Sequence, residues 1–142
     1  MGAQLNADST TFILNGTAIT DMVEGDFLEI NAVNPLTSHT NGAGGLVNVN
    51  KRVDADVWDA VFRVLRFSES DVWLNNEINQ ETPTMFNGSA KEAFTRDGSN
   101  FEENWILQNG TFTTQPSEVK NNQDGANSME YTIRFRTAKR VL

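Results

Sequence analysis

The side chains with the greatest potential for catalysis lie in a polar, glycine-rich stretch near position 40. His39 is the only histidine of the chain, and it directly follows Ser38. A Ser-His-Asp triad needs a serine presented on a sharp turn, and Ser38 lies in no such context. The glycines at 42–45 are followed by neither Lys-Ser/Thr nor a helical pattern, which argues against a phosphate-binding loop. We therefore expect no catalytic residue here.

Three carboxylates form the pattern D-x-D-x-x-D at Asp54, Asp56 and Asp59. The pattern lacks the glycine and the terminal glutamate of a calcium-binding EF-hand loop, so a solvated hairpin tip is the preferred interpretation. The sequence contains no cysteine, which excludes thiol nucleophiles, disulfide scaffolds and zinc fingers. We predict a protein that is not an enzyme and needs no metal or other cofactor.

The chain is acidic, and its charge is unevenly distributed. Its 142 residues are predicted to form one domain, and their formal net charge of −8 disfavours a basic groove for nucleic acid. Residues 1–50 contain five acids and no Lys or Arg, whereas residues 131–142 contain four cations and no acid. Either these ends pair within one domain or face water, or the acidic edge of one copy meets the basic edge of the next. No stretch has the pattern of a signal peptide or a membrane helix.

The elements that must position these residues are organised around the stretch 45–67. Its second part alternates with a period of two, and this predicts a strand with one core face. That face carries Trp58, Ala60, Phe62 and Val64, and the opposite face carries Val57, Asp59, Val61, Arg63 and Leu65. The opposite face is too apolar for free solvation and too charged for a core, which suggests that it meets something else. We predict that 45–49 pairs with this strand as a hairpin with its tip at 50–56.

The rest of the chain predicts further strands and one helix. Hairpins are expected around Asn15-Gly16 and Asn109-Gly110, a turn at 24–26, and a long loop at 34–45. Ser68 or Ser70 caps a helix over 68–80. The predicted core comprises Leu28, Ile30, Trp58, Phe62, Val64, Leu74, Ile78, Tyr131, Ile133 and Phe135. The predicted fold is mainly β: two packed antiparallel sheets in a β-sandwich or partly rolled barrel with one α-helix.

Several stretches, in this order, resemble the small tail tube proteins of contractile-tailed bacteriophages. They are FILNGTAIT, GDFLEI, NPLTSHTNG, NQETPTMFNGSAKEAFTRDG, and NNQDG followed by MEYTIRFR. The resemblance covers roughly residues 10–140. It implies a fold related to the tube proteins of type VI secretion and contractile bacteriocins. It also implies that six copies form a ring whose inner sheets join into one β-barrel, and that rings stack into a tube within a sheath. No catalytic residue is carried over.

The resemblance further implies partners and a location. The chain would bind copies of itself, the tail sheath, a baseplate or tube initiator and a tail terminator, while the tape measure protein and DNA pass through the lumen without specific binding. It would not insert into a membrane. It would assemble in the host cytoplasm and reside in the virion tail. An acidic wall suits this role, because like charge suppresses DNA binding.

Candidate residues follow from the faces and loops predicted above. The candidates for the lumen are Glu29, Asp59 and Arg63, with Arg63 pairing with Asp59 or across a subunit joint. The segments 34–47 and 50–56 are expected to be assembly loops, and residues 1–9 to be flexible. The inter-subunit candidates are Pro35, His39, Asn41, Gly44, Lys51, Arg52, Asp54, Asp56, Arg134, Arg136 and Arg140.

Three alternatives remain open at this point. The first is a tube subunit of a related secretion or bacteriocin machine. The second is a monomeric β-sandwich module that binds a ligand such as a glycan through Trp105 or the 34–47 loop. The third and most remote is an enzyme. We favour core packing for Trp58, Trp73 and Trp105.

Overall fold

The computed structural model describes residues 10–23, 27–119 and 127–142, in which ten strands and one α-helix are found. The predicted flexible segment 1–9 and the predicted turn at 24–26 lie outside these ranges. The elements are β1 (Thr10–Leu14), β2 (Thr17–Ile19), β3 (Leu28–Ala32), β4 (Thr37–Asn41), β5 (Val47–Lys51), β6 (Trp58–Leu65), α1 (Glu69–Ile78), β7 (Phe86–Arg96), β8 (Ser99–Phe112), β9 (Ser117–Val119) and β10 (Ser128–Val141).

The strands form two antiparallel sheets of very different size. The large sheet has the order β2-β1-β7-β8-β10-β6-β3, with β9 also paired to β10, and β4 and β5 form a separate two-stranded sheet. The large sheet rolls over, because Phe12 of β1 meets Phe62 of β6 across the core with ring centroids 5.1 Å apart. Its two end strands, β2 and β3, do not pair with each other. The predicted mainly-β fold with two antiparallel sheets and one helix is confirmed, and the rolled sheet is not closed into a barrel.

The core lies inside the rolled sheet and contains the residues that alternation predicted. Of the predicted core, the fully buried members are Phe62, Val64, Leu74, Tyr131, Ile133 and Phe135. The predicted residues Leu28, Ile30 and Trp58 are partly buried against this cluster, and Ile78 is half-buried on α1. Burying each large side chain contributes about 1.5–3 kcal/mol. The prediction omitted Phe12, Leu14, Phe86 and Leu107, which are also fully buried.

The predicted hairpin over 45–67 is wrong. Its first arm, β5, pairs with β4 in the register Asn41↔Val47 to Thr37↔Lys51. The segment 34–45 is therefore a strand and a turn, not a long loop. The prediction failed because β4 is polar on both faces and shows no alternation, while Thr residues still favour a strand. The segment 52–57 is not a free tip either, because Ala55 is buried and the Ala138 N–H donates to the Asp56 carbonyl at 3.2 Å.

The hairpin predicted around Asn109-Gly110 is also wrong, although the one around Asn15-Gly16 is confirmed. β8 runs through Asn109, whose φ of 56° creates a bulge where Gln108 and Asn109 both oppose Asn87. The Asn87 side-chain oxygen accepts the Asn109 N–H at 3.0 Å, and the Asn15 side-chain oxygen accepts the Asn87 N–H at 2.9 Å. The Asn-Gly pair of the β1–β2 turn and the pairs within β7 and β8 thus lie side by side, and of these three only the first forms a turn.

The helix α1 closes one end of the rolled sheet. Ser68 is its N-cap, and its Oγ accepts the Asp71 N–H at 3.2 Å. The Asp71 carboxylate accepts the buried Tyr131 hydroxyl at 2.6 Å, and Trp73 packs edge-on against Phe86. Burial, followed by the Asp71 carboxylate, raises the pKa of Tyr131 above its usual range. The helix is therefore fixed to the sheet by both a polar and an aromatic contact.

Candidate functional site

The outer side of β3, β6 and β10 carries a row of paired charges. Arg63 lies between two acids, with its Nε 3.0 Å from Glu130 and its guanidinium 3.8 Å from Glu29. Nearby, Arg134 forms a bidentate ion pair with Asp59, in which its Nε and Nη2 lie 2.8 and 3.1 Å from the two carboxylate oxygens. The Asp59 carboxylate raises the pKa of Arg134. The three lumen candidates are thus brought onto one face.

One expected pair is absent from this charged face. Arg63 was predicted to pair with Asp59 or across a subunit joint, but within the chain Asp59 instead pairs with Arg134. The reason is register, because Arg134 is the direct cross-strand partner of Asp59, whereas Arg63 lies opposite Glu130. The sequence pattern within one strand could not identify these cross-strand neighbours.

Two of the four cations of β10 form ion pairs with acids of neighbouring strands. Arg140 meets Glu103 of β8 at 2.6 Å, in addition to the Arg134 pair, and Arg136 is exposed. Neither acid belongs to the acidic segment 1–50. Two C-terminal cations therefore form ion pairs within the chain, but their partners are not the acids of residues 1–50.

The two-stranded sheet forms a projecting ribbon that we call the arm, residues 37–51. Every residue of β5 is exposed, and all of β4 except the half-buried Thr37. One face of the arm carries Val47 and Val49, and Leu46 at its tip is 63% exposed. The opposite face, with Thr40 and Asn48, is polar. Across the strands Val47 lies opposite Asn41 and Val49 opposite His39, so the first face is mixed. A ribbon that exposes valines in this way is typical of a contact surface rather than of a solvated loop.

The base of the arm is closed by local contacts. The Arg52 N–H donates to the Leu36 carbonyl at 2.9 Å, and the Arg52 side chain pairs with Asp54 at 2.9 Å. The hydrogen bonds from Arg52 lower the pKa of Asp54. Of the inter-subunit candidates, the arm carries His39, Asn41, Gly44 and Lys51, and its base carries Pro35, Arg52, Asp54 and Asp56. The structure therefore gathers eight of the eleven candidates in one place.

No catalytic constellation is found in the described parts of the chain. The exposed His39 has its Nε2 3.3 Å from the Thr37 hydroxyl and no carboxylate hydrogen bond among those residues. No group of three or more metal-binding side chains is found in residues 10–23, 27–119 and 127–142. In the same ranges, no helix has the length and apolar composition needed to cross a membrane.

The second candidate site is the aromatic surface at Trp105, and most of this ring is in contact with other side chains. Trp105 meets Trp58 edge to face at 5.2 Å, and both rings are half-buried. A shallow cleft of about 220 Å³ beside Trp105 is lined by Leu28 and Ile30 and lies between β3 and the β7–β8 pair. This cleft marks the gap in the rolled sheet.

Three solved structures resemble this chain. Hcp1 from Flavobacterium johnsoniae is 14% identical, with 92% of this chain and 93% of that chain covered and a TM-score of 0.50. A chain of the PVC sheath/tube terminator of an extracellular contractile injection system, in the extended state, is 13% identical, with 98% and 97% covered and a TM-score of 0.61. A chain of the 6-fold symmetrised baseplate of the anti-feeding prophage is 12% identical, with 93% and 90% covered and a TM-score of 0.51.

No protein-family model and no curated protein matches the sequence. The similarity is therefore one of structure, and it extends over nearly the whole of each chain. The chain has the fold of Hcp1 and of components of contractile injection machines, the fold that its resemblance to tail tube proteins implied.

Proposed function

We propose that this chain is a tube subunit of a contractile injection machine, a structural protein whose copies form rings that stack into a tube. The observation that carries the proposal is the arm. An exposed two-stranded ribbon with Val47 and Val49 on one face is costly for a free monomer, and a neighbouring copy would cover it. The edge strands β2 and β3, which do not pair with each other, offer a second place where copies would join.

The ring is proposed to contain six copies and to belong to a phage-type tail. The sequence resemblance to phage tail tube proteins supports this, as does the six-fold symmetry of the baseplate that contains one structural neighbour. The same comparison motivates the proposed partners, which are a sheath, a baseplate or initiator and a terminator. The particle is proposed to be a virion tail, assembled in the host cytoplasm.

The charged face of β3, β6 and β10 is proposed to line the bore. The five paired residues of this face, Glu29, Asp59, Glu130, Arg63 and Arg134, have a formal charge of −1 per copy, and the exposed Arg136 farther along β10 brings the sum to zero. Arg63 and Arg134 are already engaged by carboxylates, and they are therefore poorly available to DNA phosphates. A wall whose cations are mostly paired gives DNA little to bind, and its charges act only within about 8 Å in physiological salt. DNA would then pass through the tube without binding.

Changing Glu29 to Lys tests the bore assignment. Glu29 contacts Arg63 only at 3.8 Å and is exposed, so the variant should assemble normally while its formal charge changes by +2 per copy. We expect DNA release from particles that carry the variant tube to slow at least roughly twofold at low salt and to recover as salt is raised. Release is followed over time with a DNA-binding dye.

The matched control is Glu81→Lys, which makes the same charge change at an exposed residue beyond α1. This control should release DNA at the normal rate. Equal release rates for wild type and Glu29→Lys would remove the charged face from the bore.

The proposal as a whole is tested by the assembly state of the purified chain. Negative-stain microscopy and light scattering at increasing concentration, with added initiator where needed, should reveal rings and tubes. A particle of about 16 kDa under every condition would contradict it, because 15.8 kDa is the mass of the single chain.

A further inference from the structure

Phe67 stands out as a strained and exposed aromatic residue. Its φ of 68° lies in the left-handed region, which a bulky side chain rarely adopts, and its side chain is 79% exposed. Burial does not force this conformation, since the ring faces solvent. An exposed apolar ring on a backbone of this kind is a feature that a contact with another copy could use.

Buried groups hold Phe67 in this conformation. The Phe67 N–H donates to one Asp71 carboxylate oxygen at 2.9 Å, and the Tyr131 hydroxyl donates to the other at 2.6 Å. Asp71 is 8% exposed and Tyr131 is 1% exposed. The ring is thus presented by a polar network anchored in the core, and it is not the loose end of a loop.

Phe67 forms one wall of a cleft with a polar rim, and we call its three apolar lining residues, Phe67, Val72 and Met129, the Phe67 patch. The cleft has a volume of about 270 Å³, and Val72 on the first turns of α1 is 55% exposed. The Arg66 guanidinium lies 4.7 Å from the centre of the Phe67 ring and pairs with Glu118 at 3.1 Å. This cation–π contact stiffens the side of the patch next to β9.

The Phe67 patch and the arm lie at opposite ends of β6. The arm emerges beside the first residue of β6, where the Val33 N–H donates to the Val57 carbonyl at 3.1 Å, and Phe67 follows the last residue, Leu65. Eight strand residues separate them, a distance of roughly 26 Å. Two different apolar surfaces at opposite poles of one molecule allow a head-to-tail contact, which repeats without closing.

We propose that the Phe67 patch is the receptor for the arm of the next copy along the stack. This inference rests on the proposed function and names the surface that the arm binds. Val47 and Val49 would cover Phe67 and Val72, so each copy would bury apolar area at both poles. Lys51 lies on the same arm face as the two valines and forms an exposed ion pair with Asp56 at 3.6 Å. In the stack its ammonium would also face the acidic first turn of α1, where Glu69 is exposed.

The variant Phe67→Gly separates assembly from folding. Glycine adopts a φ of 68° without strain and keeps the N–H that Asp71 binds, so the melting temperature of the monomer should stay the same or rise. Loss of the ring should raise the critical concentration for tube formation at least about tenfold. The matched control is Phe67→Tyr, which keeps the ring and should assemble like wild type.

Cysteine cross-linking tests the contact itself, because the natural chain contains no cysteine. A chain with Val49→Cys and Val72→Cys should give a ladder of disulfide-linked multimers when assembled tubes are oxidised. Each single-cysteine variant should stay monomeric on a non-reducing gel, and an equal mixture of the two should give dimers.

The outcomes separate this inference from the proposed function. If the wild-type chain forms tubes and Phe67→Gly forms them equally well, the receptor assignment is overturned and the tube proposal stands. The same conclusion follows if tubes form but no disulfide joins the cysteines introduced at positions 49 and 72. The same holds if Phe67→Gly tubes form normally but fail to bind a sheath subunit. A wild-type chain that never assembles overturns both.

Discussion

Replacing the arm, residues 37–51, with an Asn-Gly turn is expected to abolish tube formation while leaving a folded chain. The cut is possible because Leu36 and Arg52 are already joined by a hydrogen bond of 2.9 Å, so a short turn can connect them. The arm contributes no residue to the core cluster. Its loss should therefore change the melting temperature by only a few degrees, whereas the contact that it provides to another copy disappears completely.

A pair of double variants gives the control for the arm replacement. Val47→Asp with Val49→Asp puts charges on the apolar face and should block assembly as the replacement does. Asn48→Ser with Asn50→Ser changes the polar face of the same strand and should assemble normally. Light scattering at matched concentrations reports assembly, and circular dichroism reports folding. Tubes from the arm-less chain would show that the arm is not an assembly element.

Among the Gly→Ala substitutions of the described residues, Gly88→Ala is expected to cause the largest loss of stability. A Cβ at position 88 would clash with the Ile13 carbonyl oxygen and lie 3.0 Å from the Leu14 side chain. No rotamer change can relieve a clash with backbone, so β1 must separate from β7 and withdraw Phe12 and Leu14 from the core. We expect the free energy of unfolding to fall by about 3 kcal/mol or more.

Urea denaturation of the monomer measures this effect, and Gly98→Ala is the control. Gly98 has a φ of 78° with nothing within 4 Å of its would-be Cβ, so that variant carries only the conformational cost of about 1–2 kcal/mol. The difference between the two variants isolates the close approach of β1 and β7. Equal losses at positions 88 and 98 would mean that β1 does not pack against Gly88 as described.

The predictions from sequence succeeded where a strand has one buried face. The alternation in β6 and β10 identified Phe62, Val64, Tyr131, Ile133 and Phe135 as core, because a single buried face gives a period of two. The cap at Ser68 identified the helix by its chemistry. Both signals come from neighbouring residues in the sequence, and the packing of the fold buries the residues that they indicate.

The predictions failed where the partner strand decides the structure. Asn109-Gly110 has the composition of a hairpin turn, but the close approach of Phe135 requires glycine there, since a Cβ would lie 2.5 Å from its ring. β4 has no apolar face, so only its pairing with β5 identifies it as a strand. Alternation also assigned Val47 and Val49 to a hairpin with β6, whereas both valines lie exposed on the arm.

The candidate site was located more accurately than its contacts. Sequence reasoning placed Glu29, Asp59 and Arg63 on one face and most inter-subunit candidates near one loop, because strand alternation and segment composition determine location. It missed Glu130 and the Asp59–Arg134 pair, which depend on register between strands. It also missed Phe67, whose left-handed backbone is set by Asp71 and leaves no trace in a hydrophobic pattern.

The most direct test of the central claim is electron microscopy of the purified full-length chain, alone and with an initiator complex. We expect rings of six copies that stack into a tube of uniform width, with the arm of each copy reaching toward the Phe67 patch of the next ring. A dispersed monomer at all concentrations and salt conditions, with and without the initiator, would contradict it.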